Sequence, residues 1–171
     1  MTLSAGASFA LNALVQQICD PGDGILLAAP YWPGLDLCIT VHNEAIAVPV
    51  HVPLESFFDV SSIQYYEDAL KNSSAPIRGV LVCNPHNPLG RNYPRETLQA
   101  MLDFCSRNKL HYISDEVYAM SQHDSTTLTS NKNGFVSALS LDGGDGLVHV
   151  VYTVSKDFGC SGIRMVSLAN P

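Results

Sequence analysis

No lysine or arginine occurs in the first 70 residues, although eight carboxylates do; the first basic side chain is Lys71. The whole chain holds nine basic against 16 acidic residues, a net charge of −7. Recognition of nucleic acid or of an anionic membrane surface needs clustered cations, so neither partner is expected. Nucleotide and metal signatures are missing too. There is no G-x-G-x-x-G, no G-x-x-x-x-G-K-[ST] and no H-E-x-x-H, and the six histidines stand at no ligand spacing, so no metal site is expected. The five cysteines (Cys19, Cys38, Cys83, Cys105 and Cys160) are an odd set without a C-x-x-C pair. They read as free thiols in a reducing, cytoplasmic setting. The uncharged stretch Thr2 to Cys19 lacks a basic n-region and carries Asn12, Gln16 and Gln17, which would be costly in lipid, so it reads as a soluble helix and not as a signal peptide or membrane span.

What is present is a globular composition, 46% hydrophobic and 15% charged over 171 residues, enough for one domain. Leu11, Leu14, Val15 and Ile18 fall on one face of a helix, which Asp20-Pro21-Gly22-Asp23 stops. Apolar runs at 24–29, 45–50, 77–83, 110–114 and 147–152 read as strands. Between them, Ser61-x-x-Gln64 reads as a capping box opening a helix with Ile63, Tyr66 and Leu70 inward. Pro94 suits the first turn of a helix that buries Leu98, Met101, Leu102 and Cys105. Strands that alternate with helices and lack period-2 polarity predict an α/β fold, a mostly parallel sheet sandwiched by helices. Met1 to Gly6 allows only the tail of a strand. Residues 120–146 are polar and Gly-rich, and predict a functional loop or a short element around Phe135 to Leu139.

In an open parallel sheet, ligands sit at the carboxyl ends of the strands. Asn84 to Asn87 follow the third strand, Asp115 and Tyr118 the fourth, and Ser155 and Lys156 the last. Taken singly these are a turn, a helix cap and a surface lysine; together they suit one kind of ligand. A helix opening at Gly6-Ala7-Ser8 offers free N–H groups to a phosphate, and Arg164 a bidentate cation. Asp115 suits a protonated ring nitrogen, and Asn87 and Tyr118 a phenolate-like oxygen. Tyr31 supplies an aromatic plate and Lys156 an amine. Phosphate, pyridinium, phenolate, flat ring and lysine describe pyridoxal 5′-phosphate.

The segments GAS (6–8), PGDGILLAAPYWPG (21–34), NPHNPLG (84–90), SDEVYA (114–119) and TVSKDFGCSGIR (153–164) resemble the fold-type I pyridoxal-phosphate enzymes. The likeness is to the class I/II aminotransferases, and most of all to their 1-aminocyclopropane-1-carboxylate synthase-like branch. The resemblance implies the large cofactor-binding domain of an aspartate-aminotransferase-like fold. Lys156 is then the lysine that joins the cofactor covalently, Asp115 the partner of the ring nitrogen, and Asn87 with Tyr118 the pair at the ring oxygen. Tyr31 is implied as the stacking aromatic, Ala7 and Ser8 as phosphate contacts, and Thr153 and Arg164 as the rest of the phosphate cup. Thr153 replaces the usual serine and keeps its hydroxyl. Val166 stands where the motif commonly has glycine, which predicts local backbone distortion. A lysine amine is protonated at neutral pH, with an ordinary pKa of roughly 10.4, so desolvation and the Arg164 charge are expected to favour the reactive neutral form.

The same resemblance implies that residues 1–171 are part of the large domain, with the N-terminal arm and the C-terminal small domain outside them. It further implies a small-molecule amino acid or 2-oxo acid as substrate and a homodimer in the full-length enzyme. Three functional readings follow: an aminotransferase-like enzyme working through Lys156, a carbon–sulfur lyase or aminocyclopropane-carboxylate-synthase-type elimination or cyclisation, and a truncated, catalytically silent remnant.

Overall fold

Continuous apolar runs become the inner strands of one seven-stranded sheet. The computed structural model describes residues 1–121, 134–144 and 146–170. Strand β1 (Thr2–Ser4) leads through Gly6 into helix α1 (Ala7–Ile18). Strand β2 (Gly24–Ala29), helix α2 (Gly34–Thr40) and strand β3 (Ile46–His51) follow, then helix α3 (Ile63–Asn72) and strand β4 (Ile77–Cys83). Helix α4 (Arg95–Asn108), strand β5 (His111–Asp115), strand β6 (Val148–Thr153), the short helix α5 (Val154–Asp157) and strand β7 (Val166–Ala169) complete the order.

The sheet runs β1-β7-β6-β5-β4-β2-β3. From β3 to β6 every neighbouring pair is parallel; β7 is antiparallel to both β6 and β1. Side chains alternate across the pleat, so the strands feed two cores. On one face Ile25, Leu27, Leu81, Ile113 and Val151 pack with Leu11, Leu14 and Val15 of α1 and Leu35 and Ile39 of α2. On the other, Leu26, Val80, Val82, Tyr112 and Val150 pack with Tyr66 of α3 and Met101, Leu102 and Phe104 of α4. Burial on both faces explains why these strands read as apolar runs.

Four details depart from the sequence reading. The residues of PYWPG open onto helix α2, whose buried Leu35, Cys38 and Ile39 anchor it on α1. The expected Ser61 capping box is not formed. Asp59 instead accepts the Ser61 N–H and caps a 3-10 turn over Val60–Ser62, from which α3 continues with no side-chain cap. Val166 causes no distortion: it lies in β7, paired with Ser4 and Thr153 and buried, while the left-handed residue is Arg164. Of the loop expected over 120–146, residues 122–133 and 145 lie outside the described residues. The short element within it is a 3-10 turn at Ala138–Ser140, on the C-terminal side of the expected stretch.

Candidate active site

The carboxyl ends of β4, β5 and β6 and the amino end of α1 enclose a cavity of about 220 Å³. Ala7, Ser8, Asn87, Asp115, Tyr118, Thr153, Lys156 and Arg164 all line it. Its floor is buried, with Cys83 and Asp115 side by side at the strand ends and Thr153 two residues beyond Val151, the β6 partner of Asp115, whereas Ser8, Lys156 and Arg164 stand on an exposed rim.

Asp115 ends β5 opposite Cys83 of β4. Its side chain is buried, and Oδ1 has no hydrogen-bond partner among the described residues. Burial pushes its carboxyl up to about 7; the Val117 N–H opposes this, Glu116 adds to it, and Lys156 opposes it. A buried carboxylate oxygen without a donor is costly, so this one is prepared for a cationic or N–H partner. Across the floor, Asn87 Nδ2 donates to the Tyr118 hydroxyl at 3.3 Å. Burial, more than the nearby charges, raises the Tyr118 pKa and keeps the phenol protonated as a donor.

At the other end, Gly6 has φ 99, and α1 begins there with no side-chain cap. The first-turn N–H groups of a 12-residue helix are therefore open to an anion. Arg164, held at φ 55, lays its guanidinium over Gly6, with Nη1 donating to Ser161 O at 3.1 Å and Nη2 to Ala5 O at 3.4 Å. Among the described residues it makes no ion pair. A left-handed non-glycine residue costs roughly 1–2 kcal/mol, so this cation is aimed at some expense.

Three expectations change. Tyr31 does not line the cavity: its hydroxyl donates to Asp36 at 2.7 Å and its ring packs at the edge of the α1–α2 core. Its neighbour Trp32 lines the cavity instead, with its ring over Gly34, where any Cβ would overlap it. Both lie in the turn between β2 and α2, and nothing in the pair of aromatics tells which one turns inward. Lys156 is exposed, so the expected desolvation of its amine is not found. Thr153 directs its hydroxyl at Met165 O (2.8 Å) and accepts from Ser155 N–H (3.2 Å), which makes it a tether between β6 and β7 and leaves no hydrogen free for a phosphate.

Ser155, which the sequence places beside Lys156 after the last strand, also lines the cavity. Glu116 follows Asp115 directly and faces the other way. It is buried and accepts from Ala138 N–H (2.7 Å) and Ser114 Oγ (3.0 Å). Asn84 works beside it, donating to Val136 O at 3.0 Å and accepting from Tyr93 N–H at 3.1 Å. The two side chains fasten the return segment beneath the site. All five cysteines are free; among the described residues no group of three metal ligands occurs and no helix is long and apolar enough to cross a membrane.

The profile of the family described as "Aminotransferase class I and II" matches residues 1–169. The chain belongs to that family. Over 167 residues it is 63% identical to the "Probable aminotransferase tcpI" of Claviceps purpurea, covering 96% of this chain and 39% of that protein. It is 37% identical over 171 residues to 1-aminocyclopropane-1-carboxylate synthase 11 of Arabidopsis thaliana, covering 96% and 36%. In fold it resembles a Thermus thermophilus aspartate aminotransferase double mutant with a TM-score of 0.78 and 24% identity, over 99% of this chain and 40% of the other. The chain thus spans about 40% of the length of the aminotransferases it matches. The family acts on small molecules, is typically dimeric, and depends on pyridoxal phosphate.

Proposed function

We propose that residues 1–171 form the cofactor-binding portion of a pyridoxal-phosphate-dependent aminotransferase acting on an amino acid and a 2-oxo acid. The observation that carries this reading is the buried Oδ1 of Asp115, without a hydrogen-bond partner among the described residues, in the same cavity as Lys156 and Arg164. The residues present fit the cofactor by the chemistry of each donor. Arg164 and the open N–H groups of Ala7 and Ser8 suit its phosphate, and the lack of a Cβ at Gly6 leaves room for the guanidinium beside them. Asp115 accepts from a ring N–H, Asn87 and Tyr118 donate to a ring oxygen, and Trp32 offers a flat apolar face. Lys156 contributes the one amine among the described lining residues. Pyridoxal phosphate, when bound, supplies an aldehyde that condenses with amines and a ring that withdraws electrons from the substrate's α-carbon.

In this arrangement Asp115 holds the proton on the ring nitrogen, and its burial strengthens that bond. Lys156, as a free amine, would take and return the proton at the substrate's α-carbon as general base. Residues outside 1–171 bind the substrate carboxylate, and a second subunit completes the site in a cytoplasmic homodimer. The 37% identity with an aminocyclopropane-carboxylate synthase supports a second reading, elimination or cyclisation at the same site. Product analysis of the full-length enzyme separates them: a keto acid means transamination, a released thiol or closed ring the alternative.

The test is to add pyridoxal phosphate to the 171-residue chain, reduce with borohydride and map the label by peptide mass. The label is expected on Lys156 and absent from Lys156→Ala. Labelling of Lys71, Lys109 or Lys132 in its place would refute the assignment.

A further inference from the structure

Helix α5 carries Lys156 yet buries none of its four residues, so core packing does not orient it. Its backbone bonds are few and long: Phe158 N–H to Val154 O at 3.3 Å, Gly159 N–H to Lys156 O at 3.3 Å and Cys160 N–H to Val154 O at 3.4 Å. What holds the helix is polar. Thr153 caps its start. At its end, Asp157 Oδ2 accepts the Met120 N–H at 2.9 Å and Oδ1 accepts the Ser121 hydroxyl at 2.5 Å. Ser121 N–H in turn bonds Tyr118 O at 2.9 Å, so Met120 and Ser121 close the turn that presents the Tyr118 ring. The Tyr152 hydroxyl adds a contact to Met120 Sδ at 3.3 Å. One carboxylate therefore joins two segments 36 and 37 positions apart, and it sits next to Lys156.

We propose that Asp157 is a positioning residue whose carboxylate clamps the Tyr118–Ser121 turn to α5 and so sets the separation of the Tyr118 hydroxyl and the Lys156 amine. The proposal rests on the roles given to those two residues above. Asp157 does not line the cavity, so it acts through its neighbours. Geometry, and not charge, is what the clamp needs. An asparagine keeps both bonds, its oxygen accepting from Met120 N–H and its amide donating to Ser121 Oγ, whereas alanine keeps neither.

The experiment follows the rate at which pyridoxal phosphate becomes fixed to Lys156, by timed borohydride quenching and peptide mass, in the 171-residue chain and its Asp157→Ala, Asp157→Asn and Ser121→Ala variants. In parallel, hydrogen exchange at the Met120 amide is measured without any cofactor. Asp157→Ala is expected to slow fixation at Lys156 roughly tenfold or more, as misplacement of a reacting group does, and to speed Met120 exchange. Asp157→Asn should stay close to the parent chain, and Ser121→Ala, which removes one of the two bonds, should fall between. Asp157→Ala reacting at the parent rate would overturn the proposal, as would Asp157→Asn slowing as much as alanine, which would make the effect one of charge. A parent chain unlabelled at Lys156 overturns the functional reading and the clamp's role with it; a labelled parent with an indifferent Asp157→Ala overturns the clamp alone.

Discussion

The guanidinium of Arg164 rests against the backbone of Gly6, 158 residues away in sequence, so closely that a Cβ added at Gly6 would stand 2.7 Å from Cζ. Glycine is required there twice over, by the contact and by its φ of 99. Gly6→Ala is expected to lower stability by roughly 1 kcal/mol or more and to push Arg164 off its position. A lost charge-assisted bond costs about 1.5–3 kcal/mol, which corresponds to roughly tenfold to a hundredfold in affinity. Spectroscopic titration should therefore show pyridoxal phosphate binding weakened by about that factor, with pyridoxal, which lacks the phosphate, almost unaffected. Equal weakening of both ligands would remove the phosphate from this end of the cavity.

Asp115 makes stability depend on pH in an unusual direction for a carboxylate. Burial raises its folded pKa to about 7, above the unfolded value of 3.8, so its contribution is full below pH 3.8 and is lost as pH rises through about 7. His149 and His86 act oppositely. Burial lowers each to about 4 from 6.5, so their contribution is present above pH 6.5 and lost as pH falls through about 4. His149 lies 2.9 Å from His111 across β5 and β6, which disfavours charging either ring. Without cofactor, Asp115→Asn should be more stable than the parent at pH 7.5, and the difference should shrink towards pH 4. Urea titrations at several pH values measure this; a difference independent of pH would show that Asp115 does not titrate in the window.

Glu116 offers a prediction about stability alone. Its carboxylate is the partner of the buried Ala138 N–H at 2.7 Å and of the Ser114 hydroxyl at 3.0 Å. Truncation to alanine orphans both, at about 1–3 kcal/mol for each buried group left unsatisfied. Glu116→Gln keeps an acceptor oxygen and should cost less than Glu116→Ala. Comparing the two denaturation midpoints decides whether the carboxylate fastens the segment around Ala138 or merely lies beside it.

These residues show how far the chain could be read without coordinates. The five parallel-sheet runs were legible because strands buried on both faces need unbroken apolar sequence. β7 was not, because its four residues alternate as Val-Ser-Leu-Ala and its pairing with β1 joins the two ends of the chain. The site residues at strand ends were legible from position and chemical type. Which of Tyr31 and Trp32 faces the cavity was not, because it depends on the turn that follows β2. The exposure of Lys156 was hidden as well: an apolar strand precedes it, but the side chain follows the strand's end and stands in solvent. Polar fastenings such as Asp157 to Met120 join distant segments through one backbone N–H, and no spacing in the sequence encodes them.

Thr153 is the last such fastening. Its hydroxyl has one hydrogen and two lone pairs, and a carbonyl oxygen can only accept. The hydrogen therefore goes to Met165 O at 2.8 Å, while the lone pairs serve Ser155, whose N–H is 3.2 Å and whose Oγ is 3.0 Å away. Met165 follows Arg164 directly, so this bond braces the left-handed turn that turns the guanidinium towards Gly6. Thr153→Val keeps the shape and loses the hydroxyl; it removes the α5 cap and orphans the Met165 carbonyl, for a cost of about 1–3 kcal/mol. Thr153→Ser keeps every bond and should stay within about 1 kcal/mol of the parent. If the hydroxyl were a phosphate donor and not a brace, Thr153→Val would weaken pyridoxal phosphate binding while leaving the cofactor-free denaturation midpoint unchanged. The brace predicts that the midpoint falls first, in the absence of any ligand.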